Sequence, residues 1–443
     1  MHHTRPSFTT DALLSLIRQR FDAYLASSIP GDGRRPQLST TDCLMSALAM
    51  FGLKYPSLLQ FDKEARAEQT ILRHNLAKLY GVQNVPCDTR MRERLDGLDV
   101  AIVRAAMKAL IAQLQRGKVL EQWKVLQGAT LISLDGTGFF SSSQVHCDHC
   151  CEKHHRHGTT TYHHQMVVGS IVCPSVRQVL PIGFEPIIKE DGAKKNDCER
   201  NAVKRWLTHF RQDHPQLPTI IVADGLSAND PFIEALEKHR CQYILVCKRD
   251  DHKFLWDWFD AAQSPERQEI TSTENKIQKR YRYMKNVPLN GKSPRCVTVI
   301  HYEEKHPSGK ILTWGWVTDV HVTPTTVRAI VNSGRVRWKI ENETFNTLKN
   351  QGYHFEHNYG HGYKTLSNVL AGLMLLAFLV DQCLEAVHVG FKKAMVHMGQ
   401  RCRFWEKQRL YVTGFLVETW EDIYGAIVTP PRISLALARE HSP

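Results

Sequence analysis

Hydrophobic residues recur with helical spacing over the first quarter of the chain, from residue 7 to about residue 122. The clearest segments are DALLSLIRQRFDAYL (11–25), TDCLMSALAMFGL (41–53) and VAIVRAAMKALIAQLQ (100–115). A Gly/Arg/Pro stretch from Gly31 to Pro36 separates the first two and predicts a linker. The pattern therefore predicts a helical N-terminal region.

One short helix in this region carries several arginines. In VPCDTRMRERLD, we expect Asp88 or Thr89 to cap a helix that presents Arg90, Arg92 and Arg94. Such a helix either contacts DNA or forms a solvated arginine face, and the sequence leaves both open.

The pattern changes to that of strands from about residue 126. ATLISLDG, TYHHQMVVGSIVC and VRQVLPIGFEPII read as three successive strands. A helix from Asp197, the strand TIIVAD, a helix opened by Asp230 and Pro231, and the strand CQYILVCK follow. A meander of three strands followed by alternating helix and strand indicates an α/β fold with a ribonuclease-H-like core, a mixed sheet with flanking helices.

An antiparallel β insertion interrupts this core. KIQKRYRYMK, PRCVTVIHYEEK and KILTWGWVTDV alternate polar and apolar residues, and the turn signals LNGKS and HPSGK separate them. A helical pattern returns at Thr323 and Pro324, is expected to break at Ser333 and Gly334, and resumes as RVRWKIENETFNTLKN. The predicted regions are a helical DNA-binding region (1–125), the first part of the core (126–250), the β insertion (251–322), the second part of the core (323–385) and a helical C-terminal region (386–443).

Composition limits the partners and the compartment. The 57 Lys and Arg residues exceed the 45 Asp and Glu residues, and a net charge of +12 favours a polyanionic partner. The stretch Leu366 to Leu384 is apolar, but Asp381 and Gln382 follow its uninterrupted apolar run closely, so it predicts a buried core helix and no membrane contact. No apolar run follows the N-terminal charges, so we expect a cytoplasmic protein whose twelve cysteines are reduced.

Three acids stand on the predicted core elements. Asp135 and Asp224 each end an apolar strand, the first strand and the fourth, which are neighbours in such a sheet, and Glu341 lies on an arginine-rich helix. Each has a simpler interpretation, a turn for either Asp-Gly and a helical ion pair with Arg337 for Glu341. Together, on a basic protein, they predict a divalent-metal site for cutting and joining phosphodiesters.

Other acids compete with these three. Glu343 is two residues from Glu341 and points to another side of the helix, so the two are not expected to share a site. Asp197 and Glu199 rival Asp224, but we expect them to cap the helix that they open.

A second cluster lies between the first two core strands, in HCDHCCEKHHRHG (146–158). Cys147 and Cys150 have the spacing of zinc ligands, and further Cys and His residues are available to complete four. The alternatives are a histidine-rich loop that contacts DNA, or no role. The candidate Zn²⁺ ligands are Cys147, Cys150, Cys151, His154 and His155.

A third cluster, GYHFEHNYGHG, contains His354, Glu356, His357 and His361. It lines the active site, touches the phosphate backbone, or is an ordinary loop that joins two core helices, and the sequence leaves these interpretations open. No metal is assigned to it.

The order of elements and the stretch RVRWKIE around Glu341 resemble the cut-and-paste insertion-sequence transposases of the Asp-Asp-Glu (DDE) class, with a Tyr-Arg-Glu-Lys-like signature. Other segments carry the same likeness to these bacterial proteins: VPCDTRMRERLD, KKNDCERNAVKRW, ADGLSAND and ENETFNTLKNQGYHFEHNYGHG. The chain departs from the signature at two positions, with Gly334 in place of the tyrosine and Leu348 in place of the lysine, which Lys349 follows.

The resemblance implies two Mg²⁺ (or Mn²⁺) ions on Asp135, Asp224 and Glu341. Water then attacks at the transposon end, and the freed 3′-hydroxyl attacks target DNA. Arg337 is expected to bind a phosphate and orient Glu341, and Trp338 either stacks on an unpaired base or packs in the core. Lys349 is a further DNA contact.

The implied partners are double-stranded DNA, as terminal inverted repeats and as target, and a second copy of the chain, because two ends are paired. The resemblance also implies a bacterial, nucleoid-associated protein. Two other functions stay open: an inactive DNA-binding protein derived from such an enzyme, and a plain ribonuclease-H-like nuclease.

Overall fold

The computed structural model describes residues 4–28, 38–67, 71–188 and 199–431. The expected linker at Gly31 to Pro36 and the candidate acid Asp197 lie outside these ranges. The first region is helical, as its apolar periodicity predicts. Its helices are α1 (Thr10–Ser28), α2 (Thr40–Gly52), α3 (Leu58–Arg66), α4 (Ile71–Tyr80), α5 (Asp88–Leu95) and α6 (Ala101–Arg116).

A mixed sheet follows, with the strand order of a ribonuclease-H-like fold. The long strand β2 pairs antiparallel with β4 on one side and parallel with β6 on the other. Beyond these, β5 and β3 pair with β4, and β7 pairs parallel with β6. The strands are β1 (Lys124–Val125), β2 (Ala129–Ser142), β3 (Cys151–His154), β4 (Thr160–Val172), β5 (Leu180–Ile187), β6 (Thr219–Ala223) and β7 (Gln242–Val246).

The central strands β2 and β6 are buried along most of their length, because helices pack against the sheet. The helix α7 (Glu199–Asp213) packs on β4 and β5, and α8 (Asp230–Lys238) precedes β7. The fold is thus the expected mixed sheet with flanking helices.

The β insertion extends the core sheet. Strand β11 pairs with β7, so β7–β11–β10–β9–β8 is continuous with the central strands. The sequence pattern missed the helix α9 (Lys253–Ala261) that opens the insertion and the outer strand β8 (Arg267–Glu274). The other strands are β9 (Ile277–Pro288), β10 (Cys296–Lys305) and β11 (Ile311–Thr318).

The chain then returns to the core through α10 (Val327–Arg335), an irregular helical segment, and α11 (Asn346–Asn350). The expected break at Ser333 and Gly334 is wrong, because both residues lie inside α10 and are buried. A Cβ at Gly334 would stand 2.6 Å from Nε1 of Trp316. The glycine therefore allows α10 to approach β11 closely, and it does not end the helix.

The apolar stretch forms α12 (Leu366–Val387), the one described helix long and apolar enough to cross a membrane. It packs against α2, α6 and β5, and nearly all of it is buried inside the protein, as expected for a core helix. Three helices follow it in the C-terminal region. They are α13 (Val389–Met398), α14 (Arg401–Gly414) and α15 (Trp420–Val428).

Two predicted helix caps are wrong. Helix α5 has Cys87 at its N-cap without a side-chain hydrogen bond, and Asp88 is its first residue. Helix α8 is capped by Asn229, whose side chain accepts a hydrogen bond from the Phe232 N–H. Asp230 is turned instead toward Ser293 and Arg295 near the β9–β10 turn, because a tertiary ion pair is available to it.

Candidate active site and Cys/His cluster

Two of the three predicted acids lie side by side because of strand register. In the parallel pairing of β2 and β6, Ser133 stands opposite Val222. Asp135, two residues further along β2, and Asp224, the residue directly after β6, continue this register, and the carboxylate of Glu199 interacts with the charges of both. Asp224 directly follows β6 and accepts a hydrogen bond from the Ser227 hydroxyl.

The third acid comes from the helical segment that crosses this sheet. Arg337 and Glu341 form an ion pair with 2.7 Å between Nη1 and Oε1. The same nitrogen lies 3.6 Å from Oδ2 of Asp135. One guanidinium nitrogen thus connects the two carboxylates, which the sequence separates by two hundred residues.

Contacts with the strands fix the position of this segment. The Ser133 hydroxyl donates to the carbonyl oxygen of Arg337 over 3.2 Å, and the hydroxyls of Ser170 and Thr344 lie 3.3 Å apart. Both serines are on central strands and are buried. The segment is therefore held against the sheet on both sides of Glu341.

The segment is not a regular α-helix. A short 3₁₀ turn (Val336–Trp338) is followed by a π-helical turn (Ile340–Phe345) that contains Glu341. Such wider turns are rare, and they are frequent at functional sites because they re-aim side chains within a helix. The sequence, with its continuous helical pattern, did not predict it.

A fourth carboxylate, from Glu199, also lies at this site. A Cβ placed on Gly136, next to Asp135, would stand 2.8 Å from Oε2 of Glu199. Burial raises the pKa of Glu199, and the charge of Asp224 raises it further. Glu199 opens α7, as the sequence predicts, and its carboxylate also interacts with the charges of the two aspartates. The absence of a side chain at Gly136 was the signal in the sequence.

The acids affect one another's protonation. Burial raises the pKa of Asp135 to about 7, and the charges of Glu341 and Glu199 act in the same direction. Arg337 and the Gly136 N–H oppose this increase by stabilising the carboxylate. Converging carboxylates that repel one another favour a bound cation, and carboxylate oxygens are the ligands that Mg²⁺ prefers.

The residues flanking Arg337 differ in exposure. Trp338 is 45% exposed, so the alternative that it packs in the core is wrong. Lys339 is buried and donates to the carbonyl oxygen of Cys173 over 2.7 Å, which gives it a structural position. Lys349 pairs with Glu356, and Leu348, at the place of the signature lysine, is fully buried.

The three arginines of α5 are all exposed, while Met91 and Leu95 anchor that helix in the core. Arg90 pairs with Glu93, and Arg92 pairs with Asp88. The helix borders an open groove whose other wall includes His146 and Tyr363. Both sequence interpretations of this helix, a DNA contact and a solvated face, are compatible with that position.

The Cys/His-rich loop supplies only two of its five candidate zinc ligands to a common point. The Sγ atoms of Cys147 and Cys150 lie 3.8 Å apart, and His164 on β4 and His361 after α11 complete the group. Cys151 instead donates to the Ile187 carbonyl oxygen. The other two candidates are exposed and bind nearby hydroxyls, His154 that of Thr160 and His155 that of Thr161.

Those three candidates lie outside the group that the structure brings together, because their side chains contact Ile187, Thr160 and Thr161 instead of the cysteine pair. The sequence missed His164 because it lies within a strand pattern, thirteen residues beyond Cys151. The third cluster was expected to hold no metal, yet its His361 reaches the cysteines. Only the packing of the segment after α11 against β2 and β4 makes this possible.

Comparison with known proteins agrees with this arrangement. The family model described as "Transposase DDE domain" matches residues 129–379, which is more than half of the chain and contains Asp135, Glu199, Asp224 and Glu341. No curated protein is matched by the sequence. The residues matched run from the start of β2 to within α12, the whole of the interrupted core, and the chain belongs to the DDE-domain transposase family.

Proposed function

We propose that this transposase cleaves DNA at transposon ends and joins the freed ends to target DNA, using Asp135, Asp224 and Glu341. The observation that carries the proposal is the meeting of Asp135 and Glu341, from separate elements, at Arg337, with the Glu199 carboxylate interacting with the charges of Asp135 and Asp224. Neighbouring carboxylates repel one another, which destabilises their ionised forms. A purely structural role would not require such a group of acids, whereas binding of a cation would.

The residues at the site fit a pair of divalent cations. They offer carboxylate oxygens from three elements, with Glu199 as a fourth. Burial, and after it the charges of Glu341 and Glu199, raise the pKa of Asp135, and a bound cation would stabilise its carboxylate against both effects. When bound, two Mg²⁺ or Mn²⁺ ions activate the attacking oxygen and stabilise the leaving oxygen of a phosphodiester.

Other side chains would position the DNA. Arg337 already pairs with Glu341 and lies near Asp135, so its remaining N–H groups are placed to bind a phosphate at the reacting position. Trp338, exposed on the adjacent position of the same segment, offers a flat surface on which an unpaired base can stack. Lys349 and the arginines of α5 are proposed as further phosphate contacts.

The partner that this site and the net charge of +12 suit is double-stranded DNA, both as terminal inverted repeats and as target. Because the proposed reaction acts on two paired DNA ends, we propose that two copies of the chain act together, one on each end.

The test uses labelled DNA that carries the repeats flanking the protein's own locus, with Mg²⁺ or Mn²⁺. Wild-type protein should cut at the repeat ends and transfer the strands to a second DNA. Asp135→Asn, Asp224→Asn and Glu341→Gln should each lower the rate by on the order of 10³-fold or more, because groups that act as a unit lose most of the acceleration when one is removed.

The control is Glu343→Gln, an acid two residues from Glu341, which should keep its activity. DNA binding in Ca²⁺ should persist in all variants and show that they fold. Wild-type protein that binds the repeats but never cuts them would identify a non-catalytic DNA-binding protein and end the proposal. Cleavage without joining would identify a plain nuclease.

A further inference from the structure

We propose that the chain binds one structural Zn²⁺ ion, separate from the carboxylate site, through two thiolates and two imidazoles. The four ligands come from the β2–β3 connection, from β4 and from the segment that follows α11. They are Cys147, Cys150, His164 and His361.

The distances between ligand atoms match those of a tetrahedral zinc site. Zn–S bonds of about 2.3 Å and Zn–N bonds of about 2.0–2.1 Å place two sulfurs about 3.8 Å apart and a sulfur and a nitrogen about 3.5 Å apart. The two Sγ atoms are 3.8 Å apart. Nε2 of His164 lies 3.5 Å from Sγ of Cys147 and 3.4 Å from that of Cys150, and Nε2 of His361 lies 3.4 Å from Sγ of Cys150.

The backbone around the cysteines suits thiolate ligands. The Cys150 N–H donates to the carbonyl oxygen of Cys147, which closes a tight turn and brings the two side chains to the same side. The Cys147 N–H points at Sγ of Cys150 over 3.5 Å. A sulfur separation of 3.8 Å also shows that the pair is not a disulfide.

Burial makes a simple hydrogen-bonded cluster a poor explanation. All four side chains are buried, and His164 is fully so. Among the described residues, neither Nδ1 of His164 nor Nδ1 of His361 has a hydrogen-bond partner. Both rings therefore make their polar contacts through Nε2, which faces the sulfur atoms. A thiol is a weak hydrogen-bond donor and acceptor, whereas a zinc ion would satisfy all four groups at once.

The position indicates what the ion would do. His164 pairs with Phe140 on β2, five residues beyond Asp135 and about 17 Å from it along the strand. The ring of His361 packs on Phe140 with 4.4 Å between centroids. Zinc would thus fasten the irregular chain that follows the Glu341 segment to the end of the two central strands. Because those connections contain turns and irregular chain with little helix or strand, a metal cross-link is an effective way to order them.

The test begins with the metal content of the full chain, produced with zinc available and measured by inductively coupled plasma mass spectrometry. We expect about one Zn²⁺ per chain. Cys147→Ser and His361→Asn should lower the content to about a tenth or less, because the remaining three ligands bind weakly. Cys151→Ser and His154→Asn, matched neighbours outside the group, should retain the wild-type content.

A second measurement does not depend on variants that fold poorly. Wild-type protein reconstituted with Co²⁺ should show the thiolate-to-metal charge-transfer absorption that sulfur ligands produce and carboxylate ligands do not. The triple variant Asp135→Asn/Asp224→Asn/Glu341→Gln should keep both its zinc and this absorption, which separates the inference from the proposed catalysis. Folded wild-type protein without zinc, a cobalt spectrum without the thiolate band, or equal zinc loss in Cys147→Ser and Cys151→Ser would each overturn it.

Discussion

At the scale of single residues, the glycine at position 136 leaves room for the side chain of Glu199 at the candidate active site. The position next to Asp135 is Gly136, and a Cβ there would approach Oε2 of Glu199 to 2.8 Å. The carboxylate occupies the space that a side chain would take, and it interacts with the charges of both aspartates. A residue that the sequence pattern assigns to a helix start therefore becomes a candidate metal neighbour.

We expect Glu199→Gln to lower the rate of DNA cleavage by about 10- to 100-fold and to raise the Mn²⁺ concentration needed for half-maximal rate, because an outer or additional ligand is lost. Gly136→Ala should act in the same direction by displacing the Glu199 carboxylate. The measurement is cleavage rate against Mn²⁺ concentration.

The matched control is Glu234→Gln, which changes an exposed acid on the neighbouring helix α8. Unchanged metal dependence in Glu199→Gln would show that the residue only caps α7. Unfolding experiments on both variants separate a loss of metal binding from a loss of fold.

At the scale of elements, strand β10 carries a buried histidine, His301, next to an arginine of β9. On β10, Nδ1 of His301 lies 3.0 Å from Nη2 of Arg282 on β9, and the ring must be neutral to accept that hydrogen bond. Burial, and after it the charges of Arg282 and Arg249, lower the pKa of His301 from 6.5 to about 4, while Asp260 opposes them.

This shift predicts a pH dependence of stability. Above pH 6.5 the histidine is neutral in the folded and unfolded chains alike, so it has no effect. Between pH 6.5 and about 4 only the unfolded chain takes up the proton, so the free energy of unfolding decreases as the pH falls. We expect the loss attributable to His301 to be on the order of 1–2 kcal/mol at pH 5.

Urea unfolding of wild type and His301→Gln at pH 8 and pH 5 measures this contribution. The variant should lose less stability between the two conditions, because glutamine does not titrate. His397→Gln, which changes an exposed histidine on α13, controls for the substitution itself. Parallel pH dependences in wild type and His301→Gln would contradict the prediction.

The helical segment with Glu341 shows why the elements were only partly predictable. Its apolar spacing indicates a helix that the structure contains, but the sequence places the break at Gly334 and the structure places the irregular turns after it. The glycine is required by the indole of Trp316, which belongs to the β insertion. Local hydrophobic periodicity cannot predict a contact between two elements that are far apart in the sequence.

At the scale of the whole molecule, one buried ion pair connects three regions. Nζ of Lys54, after α2, lies 2.7 Å from Oδ2 of Asp381 on α12, and the hydroxyl of Tyr353, after α11, donates to the same oxygen. The ammonium group also stands 4.2 Å from the ring centroids of Tyr353 and Trp405. Burial lowers the pKa of Lys54, and Asp381 opposes that change.

We predict that Asp381→Ala lowers the free energy of unfolding by about 3–5 kcal/mol, because it leaves a buried ammonium group without its partner. Denaturant unfolding of the two proteins at pH 7 measures the difference. Glu93→Ala, which removes the exposed partner of Arg90, should change stability little. Equal effects of the two substitutions would show that the buried pair does not tie the regions together.

The sequence by itself determined the nature of the core and of its chemistry. Periods of two and of 3.6 residues report which face of each element is buried, and they gave the strand meander, the β insertion and the buried helix α12. The expectation that Asp135 ends its strand was wrong, because β2 continues to Ser142 and Asp135 pairs with Val168 in its middle. The order of elements did predict that β2 and β6 are neighbours, because they pair in parallel.

Tertiary structure decided what local pattern does not encode. The side chains that complete the Cys/His cluster, the direction of the Glu199 carboxylate and the turn that aims Glu341 depend on contacts between residues far apart in the chain. Hydrophobic periodicity indicates whether each single residue is buried or exposed. Ligand sets and ion pairs depend on distances between residues, which only the folded chain fixes.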